Sequence, residues 1–369
     1  MDMIGSLKQK VSRELKKHAS HATLYDGALK GADMPFRCLI VENANLAGYL
    51  IARTYMENPR ILKKRRVWIP ALKRIIEKRE DDIDLCIAVL PARYDAEFQG
   101  LYGFRGQEWV NQTLDVSITW EEIRARFHAN PHKTERKIMK YGFTYRVSND
   151  TKDFDLFYHS MYVPHAIGQF GEQAYVESYD DVRSYFEKGF LLFVMENGKP
   201  VSGGLCLVGD RILTFRRLGV IDGDKEYIFK GAQSSLYFFI IRYAHDRGLR
   251  EVDFMKSRPF LNDGRYRHKQ EWGASVSPDK ESETSVYYFN AGEPEKISAF
   301  YENNPLIVPV EGGMAGVVGR SGSTVISDES IKELEKLYYA PGLKGLKLLA
   351  PGSARPIDIS FEEASKAQT

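Results

Sequence analysis

FLLFVMENGKPVSGGLCLVGDRILTFRRLGV, from Phe190 to Val220, is the stretch on which the fold turns. Two apolar runs, Phe190 to Glu196 and Pro200 to Val208, flank Asn197-Gly198, a dipeptide that readily supplies the two left-handed residues of a tight hairpin turn. A further turn at Gly209-Asp210 leads into a third run, Arg211 to Val220, so the spacing predicts three antiparallel strands in succession. Upstream, helices are predicted around Phe154 to Tyr162 and Asp180 to Lys188. Downstream, a loop from Ile221 to Gly231 opens a helix, Gln233 to Arg247, which Gly248 ends before a strand over Arg250 to Met255. The order helix, helix, meander, helix, strand is an α+β layout, with α/β layering of helices on a sheet.

The N-terminal half repeats the alternation less clearly. Asp84 to Leu90 reads as a buried strand stopped by Pro91, and Trp109 to Val116 as another. Helical runs, Asn45 to Tyr55 and Pro70 to Arg79, flank the basic string Arg60 to Arg66, which reads as a solvated turn. Thr119-Trp-Glu-Glu122 is a capping box, and between Arg124 and Arg146 stand seven Lys or Arg residues against one acid, Glu135. Near the N-terminus, Ile4, Leu7, Val11 and Leu15 form an apolar stripe among Lys8, Lys10, Arg13, Lys16 and Lys17. That pattern is an amphipathic basic helix, docked on its own domain or touching a membrane surface or an RNA.

Composition bounds the rest. A chain of 369 residues with 43% hydrophobic and 28% charged residues can bury two cores, so about two domains are expected. We place the divisions at 1–130, 131–295 and a C-terminal extension, 296–369, whose last polar residues read as loose. The balance of 52 Lys plus Arg against 50 Asp plus Glu argues against a nucleic-acid coat protein or an acidic-tail binder. Cys38, Cys86 and Cys206 are too far apart for a metal knuckle or a disulfide framework, which fits a reducing cytoplasm. The longest apolar run, Leu236 to Ile241, is far short of the roughly 20 residues of a membrane span, and no export signal is expected. HExxH, GxSxG, GxxxxGK[ST] and strand-linked GxGxxG motifs are absent. His128 and His132 are separated by Asn130-Pro131, a helix breaker, so no metal is expected.

The densest chemistry follows the strand at Val252-Asp253-Phe254: Ser257-Arg-Pro-Phe260, Asp263-Gly264, Tyr266-Arg-His-Lys269 and Trp272-Gly-Ala274. Polar groups of several pKa classes just past the C-terminal end of a buried strand suit proton transfer. This segment resembles the Fem-like and BioF2-like branch of the GNAT acyltransferase superfamily, whose members end their catalytic domain with a similar strand, RPF, DG, YxxK, WG order. The basic stretch Lys133-Thr-Glu-Arg-Lys-Ile-Met-Lys-Tyr-Gly142, followed by Phe157-Tyr158 and Met161, is similar to the same family's domain entry, so the resemblance covers Lys133 to Val276.

The resemblance implies tandem GNAT-like folds, each a mixed, mostly antiparallel twisted sheet flanked by helices, and transfer of an acyl or aminoacyl group to an amine. It implies acyl-CoA as donor substrate, with the strand Arg211 to Val220 lining the acyl chain and the next helix start holding the pyrophosphate. Lys230-Gly231-Ala232-Gln233-Ser234 offers a cation, a glycine and the orphan donors of a helix start, though a plain N-cap fits too. Lys269 then lies near the transferred group, where its ammonium stabilises an oxyanion, unless it only pairs with Glu271 or Asp263. Tyr266 is the candidate proton donor to the leaving group. Asp253 is either the buried, raised-pKa acceptor of the amine proton or a structural hydrogen-bond acceptor. Arg258 and Asp263, with Tyr162, are candidate acceptor contacts, Arg258 as a clamp on phosphate or carboxylate. Arg216 and Arg217 alternate on their strand, so one at most faces the donor: Arg217 as donor contact, Arg216 as acceptor contact. The implied partner is an amine acceptor, a small molecule or a lipid- or sugar-linked precursor of a cell-envelope polymer. Two other classes stay open: an aminoacyl-tRNA donor, favoured by the basic segments, and a catalytically silent binding protein.

Overall fold

The computed structural model describes residues 18–41, 44–171, 174–320, 327–350 and 356–361. The basic helix expected at Ile4 to Leu15 and the last polar residues lie outside them. The chain opens with strands β1 (Ala19–Ala28) and β2 (Pro35–Val41), helix α1 (Ala44–Thr54), and strands β3 (Arg60–Trp68), β4 (Leu85–Pro91), β5 (Phe104–Gly106) and β6 (Val110–Asp115). Helix α2 (Ala129–Tyr141) and strand β7 (Thr144–Ser148) lead to a helical run in which a π-helical turn, Phe157–Tyr162, passes into α3 (Val163–Phe170), and then to α4 (Tyr179–Phe186). The meander is β8 (Gly189–Glu196), β9 (Lys199–Gly209) and β10 (Ile212–Val220); α5 (Lys225–Lys230), α6 (Ala232–Asp246), β11 (Glu251–Ser257), α7 (Gly264–Glu271), β12 (Ser275–Pro278) and β13 (Thr284–Asn290) follow. The remainder is α8 (Pro294–Asn303), β14 (Leu306–Val310), β15 (Gly313–Gly319), β16 (Leu343–Leu349) and β17 (Ile357–Ser360), with a helix over Asp328–Tyr338.

These elements form two units, each with mixed, mostly antiparallel sheet flanked by helices, the class expected from the meander. The units are not sequential, in contrast to divisions at 130 and 295. The first comprises residues 1–110, 258–266 and 277–369; the second comprises 111–257 and 267–276.

In the first unit a six-stranded sheet runs β3-β1-β2-β4-β13-β5 and a four-stranded sheet runs β14-β15-β16-β17. Strand β13 belongs here because it pairs antiparallel with both β4 and β5: Tyr287 lies opposite Ala88 on one side and Arg105 on the other. Leu85, Ile87 and Tyr288 enter one core and Cys86, Ala88, Tyr287 and Phe289 another. Burial on both faces is why Asp84 to Leu90 reads as an unbroken apolar run. The basic string Arg60 to Arg66 is no turn but the edge strand β3, antiparallel to β1. Edge cations block unwanted pairing, and here Arg60 also meets Asp26 at 3.0 Å while Lys63 meets Asp81 at 3.2 Å. The glycine-rich part of the extension is ordered as β15, which needs small residues: a Cβ on Gly319 would lie 1.8 Å from the Ser298 carbonyl oxygen of α8.

The second unit is built on one sheet, β12-β6-β11-β10-β9-β8-β7. The predicted Asn197-Gly198 turn is present, with φ of 51° and 79°. The next turn is made by Asp210 and Arg211, at φ 50° and 63°, so Gly209 ends its strand rather than starting the turn. Helix α6 packs Leu236 and Ile240 against Phe215 and Cys206 on one face, and the π-helical turn packs Phe157 and Met161 against Phe193 and Leu205 on the other. The capping box at Thr119 and Glu122 is formed as expected.

Candidate functional site

The second unit's sheet comes apart at one place. Strands β10 and β11 pair in parallel over three residues only, Ile212 with Glu251, Leu213 with Val252 and Thr214 with Asp253. Beyond Thr214 β10 continues its pairing with β9 to Val220, whereas β11 leaves it. A β-bulge lies at the parting: Phe215 pairs with Cys206 and Arg217 with Leu205, leaving Arg216 as the extra residue. Bulges bend and twist a strand locally, which fits the parting of the two strands at this point.

Two predicted catalytic residues hold the departing strand. Asp253, at the vertex, is half-buried rather than buried, and its Oδ1 accepts the Met255 amide at 2.8 Å. Met255 has φ +65°, a left-handed conformation that is costly for a non-glycine residue and must be held by its surroundings. Lys269 supplies that hold. Its side chain is 7% exposed, and Nζ donates to the Met255 carbonyl at 3.0 Å, the Lys256 carbonyl at 3.1 Å and Ser257 Oγ at 2.9 Å. The ammonium therefore clamps the bent end of β11. On the same helix, burial and then the Lys269 charge push the His268 imidazole down to about 4.

The helix start at Lys230 to Ser234 differs from expectation. Ile221 to Gly231 contains α5, capped by Asp224, whose carboxylate accepts the Glu226 amide at 2.7 Å. Gly231, at φ +93°, joins α5 directly to α6, and its amide bonds back to Tyr227 and Ile228. The first turn of α6 sits at the end of β10, because Ser202, paired with Val220, donates its hydroxyl to the Ala232 carbonyl. The amides of Ala232, Gln233 and Ser234 are that helix's leading donors. Lys230 is tied to Glu226 at 2.9 Å. Lys137, from the basic segment on α2, is the cation that lies against Gly231; its Nζ donates to the Phe229 carbonyl at 2.6 Å. Its closeness to the helix start was hidden by 94 positions of sequence and by its place among seven similar cations.

Arg217 is engaged by Glu177, with Nε to Oε2 at 3.0 Å, while the Arg216 guanidinium stacks 3.8 Å from the Tyr185 ring centre. The two guanidiniums thus take different partners, at a bulge where regular alternation is interrupted. Tyr162 accepts the Glu177 amide at 3.2 Å, and Tyr158 donates to the Glu177 carbonyl at 2.9 Å. Glu177 gave no motif to find. The π-helical turn carrying these tyrosines crosses β10 at Gly219, where a Cβ would lie 2.4 Å from Met161 backbone carbon. Such turns recur at functional sites.

The other candidates fall in the first unit. Asp263 caps α7, accepting the amides of Arg265 and Tyr266 on Oδ1, and takes the Tyr49 hydroxyl on Oδ2 at 3.0 Å. Tyr266 is fully enclosed and burial raises its pKa, so it keeps its proton. Arg258 stacks 3.8 Å from the Trp109 ring centre. Among the described residues no group of three or more His, Cys, Asp or Glu is arranged to hold a metal, and no helix is long and apolar enough to cross a membrane.

No family model matches the chain, and no curated protein matches it. Among solved structures it is similar to L-PGS from Bacillus licheniformis, at 7% identity over 77% of this chain and 85% of that one, with a TM-score of 0.37. It is similar also to FemX, at 10% identity over 73% and 84%, TM-score 0.39. A shorter likeness is to the ribosomal-protein-S18-alanine N-acetyltransferase from Escherichia coli, at 18% identity over 39% of this chain and 91% of that one, TM-score 0.27. These are remote likenesses.

Proposed function

We propose that the protein transfers an acyl group from a thioester to an amine, with the gap between β10 and β11 receiving the donor. The observation that carries this reading is the three-residue pairing of those strands followed by a bulge at Arg216. An extended, amide-bearing donor arm such as that of coenzyme A can add to the open edge of β10 as a strand would, through main-chain hydrogen bonds. Its phosphates then meet the leading amides of α6, with Lys137 and Lys230 beside them. The amine nitrogen attacks the thioester carbonyl carbon, the C–N bond forms, the C–S bond breaks, and the thiolate leaves and takes up a proton. Backbone N–H groups at the bulge are the candidate oxyanion donors. Asp253 at the vertex is the candidate acceptor of the amine proton. Lys269 is a positioning residue in this scheme, acting through β11. The acceptor class, an amine on an amino sugar or amino-acid-bearing precursor of a cell-envelope polymer, rests on the sequence resemblance.

A second reading replaces the thioester with aminoacyl-tRNA. It is favoured by α2, where Lys133, Arg136 and Lys140 are exposed while the neighbouring acid, Glu135, is held by Arg124 at 2.7 Å. The experiment is a transfer assay with a panel of amines, reading thiol release from acyl-coenzyme A and loss of label from aminoacyl-tRNA. Amine-dependent thiol release is expected. Transfer from tRNA alone selects the second reading, and no transfer from either donor overturns both.

A further inference from the structure

Two adjacent arginines stand at the bulge of β10, and the chain supplies an anion to one of them. Arg217 holds the carboxylate of Glu177 on two nitrogens, with Nε to Oε2 at 3.0 Å and Nη2 beside Oε1, while its Nη1 donates to the Arg216 carbonyl at 2.7 Å. All three of its nitrogens are engaged. Arg216 is half-buried as well, yet among the described residues no acid lies within ion-pair distance of its guanidinium. Its Nε is enclosed and has no hydrogen-bond partner. A guanidinium drawn partly out of water with an N–H unmet is costly until an anion joins it.

A bulge re-aims side chains. Here both guanidiniums reach the helical layer on one face of the sheet: Arg217 meets Glu177, just before α4, and Arg216 lies 3.8 Å from the centre of the Tyr185 ring, on α4. The stack fixes the plane of the Arg216 fork. The ring is held in turn. Phe186, the next residue, stacks on Phe154 at 4.9 Å, and the end of α4 presses on the sheet, where a Cβ on Gly189 would meet the Tyr185 carbonyl oxygen at 3.2 Å and the Cys206 carbonyl oxygen at 2.2 Å. Arg216 is therefore preset at the point where β11 leaves β10, next to a cation whose charge Glu177 already balances.

We infer that Arg216 binds a carboxylate, carried by the amine acceptor. One planar fork matches the two coplanar oxygens of a carboxylate, as Arg217 and Glu177 do at the next position. A phosphate would leave oxygens over, and Arg217 has no unengaged nitrogen to meet them. That the carboxylate belongs to the acceptor rests on the transferase reading, because the bulge lies where the two strands part; the carboxylate site itself does not rest on it. The acceptor is then an amino acid, or a chain ending in one, rather than a neutral amine.

The test has two arms. In the first, the full chain is titrated with acetate and with methyl phosphate, followed on the arginine Nε–H NMR signal that Arg216→Lys removes. A saturable shift with acetate, and a weaker one with methyl phosphate, is expected. In the second, thiol release from acyl-coenzyme A is compared for glycine and glycinamide, and for β-alanine and its amide, at equal free-amine concentration. The acid of each pair should be preferred about tenfold in kcat/KM, and Arg216→Lys, which keeps the charge but loses the fork, should remove most of that preference. Arg216→Gln should do the same; should it fail to fold, Arg216→Lys carries the comparison. The inference is overturned if acetate leaves that signal in place, if methyl phosphate shifts it as strongly, if acids and amides are used equally, or if Arg216→Lys leaves the preference intact. Acetate binding at Arg216 with no transfer to any amine upholds the carboxylate site and removes the transferase reading instead.

Discussion

Lys269 shows how far a residue's chemistry can be read without its surroundings. Its place in a Tyr-x-x-Lys segment after a strand marked it as important, and that much was legible in four residues; the use of its three N–H groups was not, because two of the three acceptors are backbone carbonyls, of Met255 and Lys256, which carry no sequence signal. Lys269→Ala leaves two backbone carbonyls of a bent strand without their charged donor, at a cost of roughly 2 to 3 kcal/mol. Thermal unfolding should shift down by several degrees; a midpoint unchanged from the parent would show that the clamp does not hold β11. His268 supplies a pH test. Its folded pKa, about 4, lies below the ordinary 6.5, so the unfolded chain takes up a proton first as the pH falls. The contribution is whole above pH 6.5 and is lost as pH falls through about 4. His268→Gln should flatten that part of the stability curve measured by urea unfolding at pH 7 and at pH 4.5. An identical pH dependence in the variant would contradict the assignment.

At the scale of elements, what was legible is what carries a local signature: the Asn197-Gly198 hairpin, the apolar strands β8 to β10, helix α6 with its Gly248 stop, and the capping box at Thr119. What was missed lacks one. Strand β3 pairs on one side only and buries Val67 alone, so it shows no period-2 apolar pattern. Helix α5 is six residues long, too short for a helical period. The parting of β10 from β11 depends on a pairing between distant segments; Arg216, Arg217 and Asp253 were flagged one by one, with nothing local to bring them to the same place. The closeness of β10 to the π-helical turn is testable at Gly219. Gly219→Ala would drive a methyl group into the backbone at Met161 and Tyr162, where neither atom can yield as a side chain does, and overpacking of this kind costs about 1 to 3 kcal/mol. Urea unfolding should register the loss; equal stability would mean that the turn and the strand are not in contact.

At the scale of the molecule, the chain passes between its two units at 110/111, 257/258, 266/267 and 276/277. A division after residue 130 would remove β6 from the second sheet and leave β13 without β4, and a protein cut there should aggregate rather than give two folded halves. Sequence order suggested contiguous domains because the apolar run of β13 looks the same whichever sheet it joins. The central claim is that the open edge of β10 and the first turn of α6 receive a thioester donor. Calorimetry of the full chain with acyl-coenzyme A and with aminoacyl-tRNA, each at two salt concentrations, tests it most directly. Thioester binding at a dissociation constant of about 1 mM or tighter is expected, weakly dependent on salt and lost in Gly231→Val, whose β-branched side chain suits neither φ +93° nor the space held by Lys137. No thioester binding at millimolar concentration, or tRNA binding in its place that falls steeply with salt, would contradict the claim.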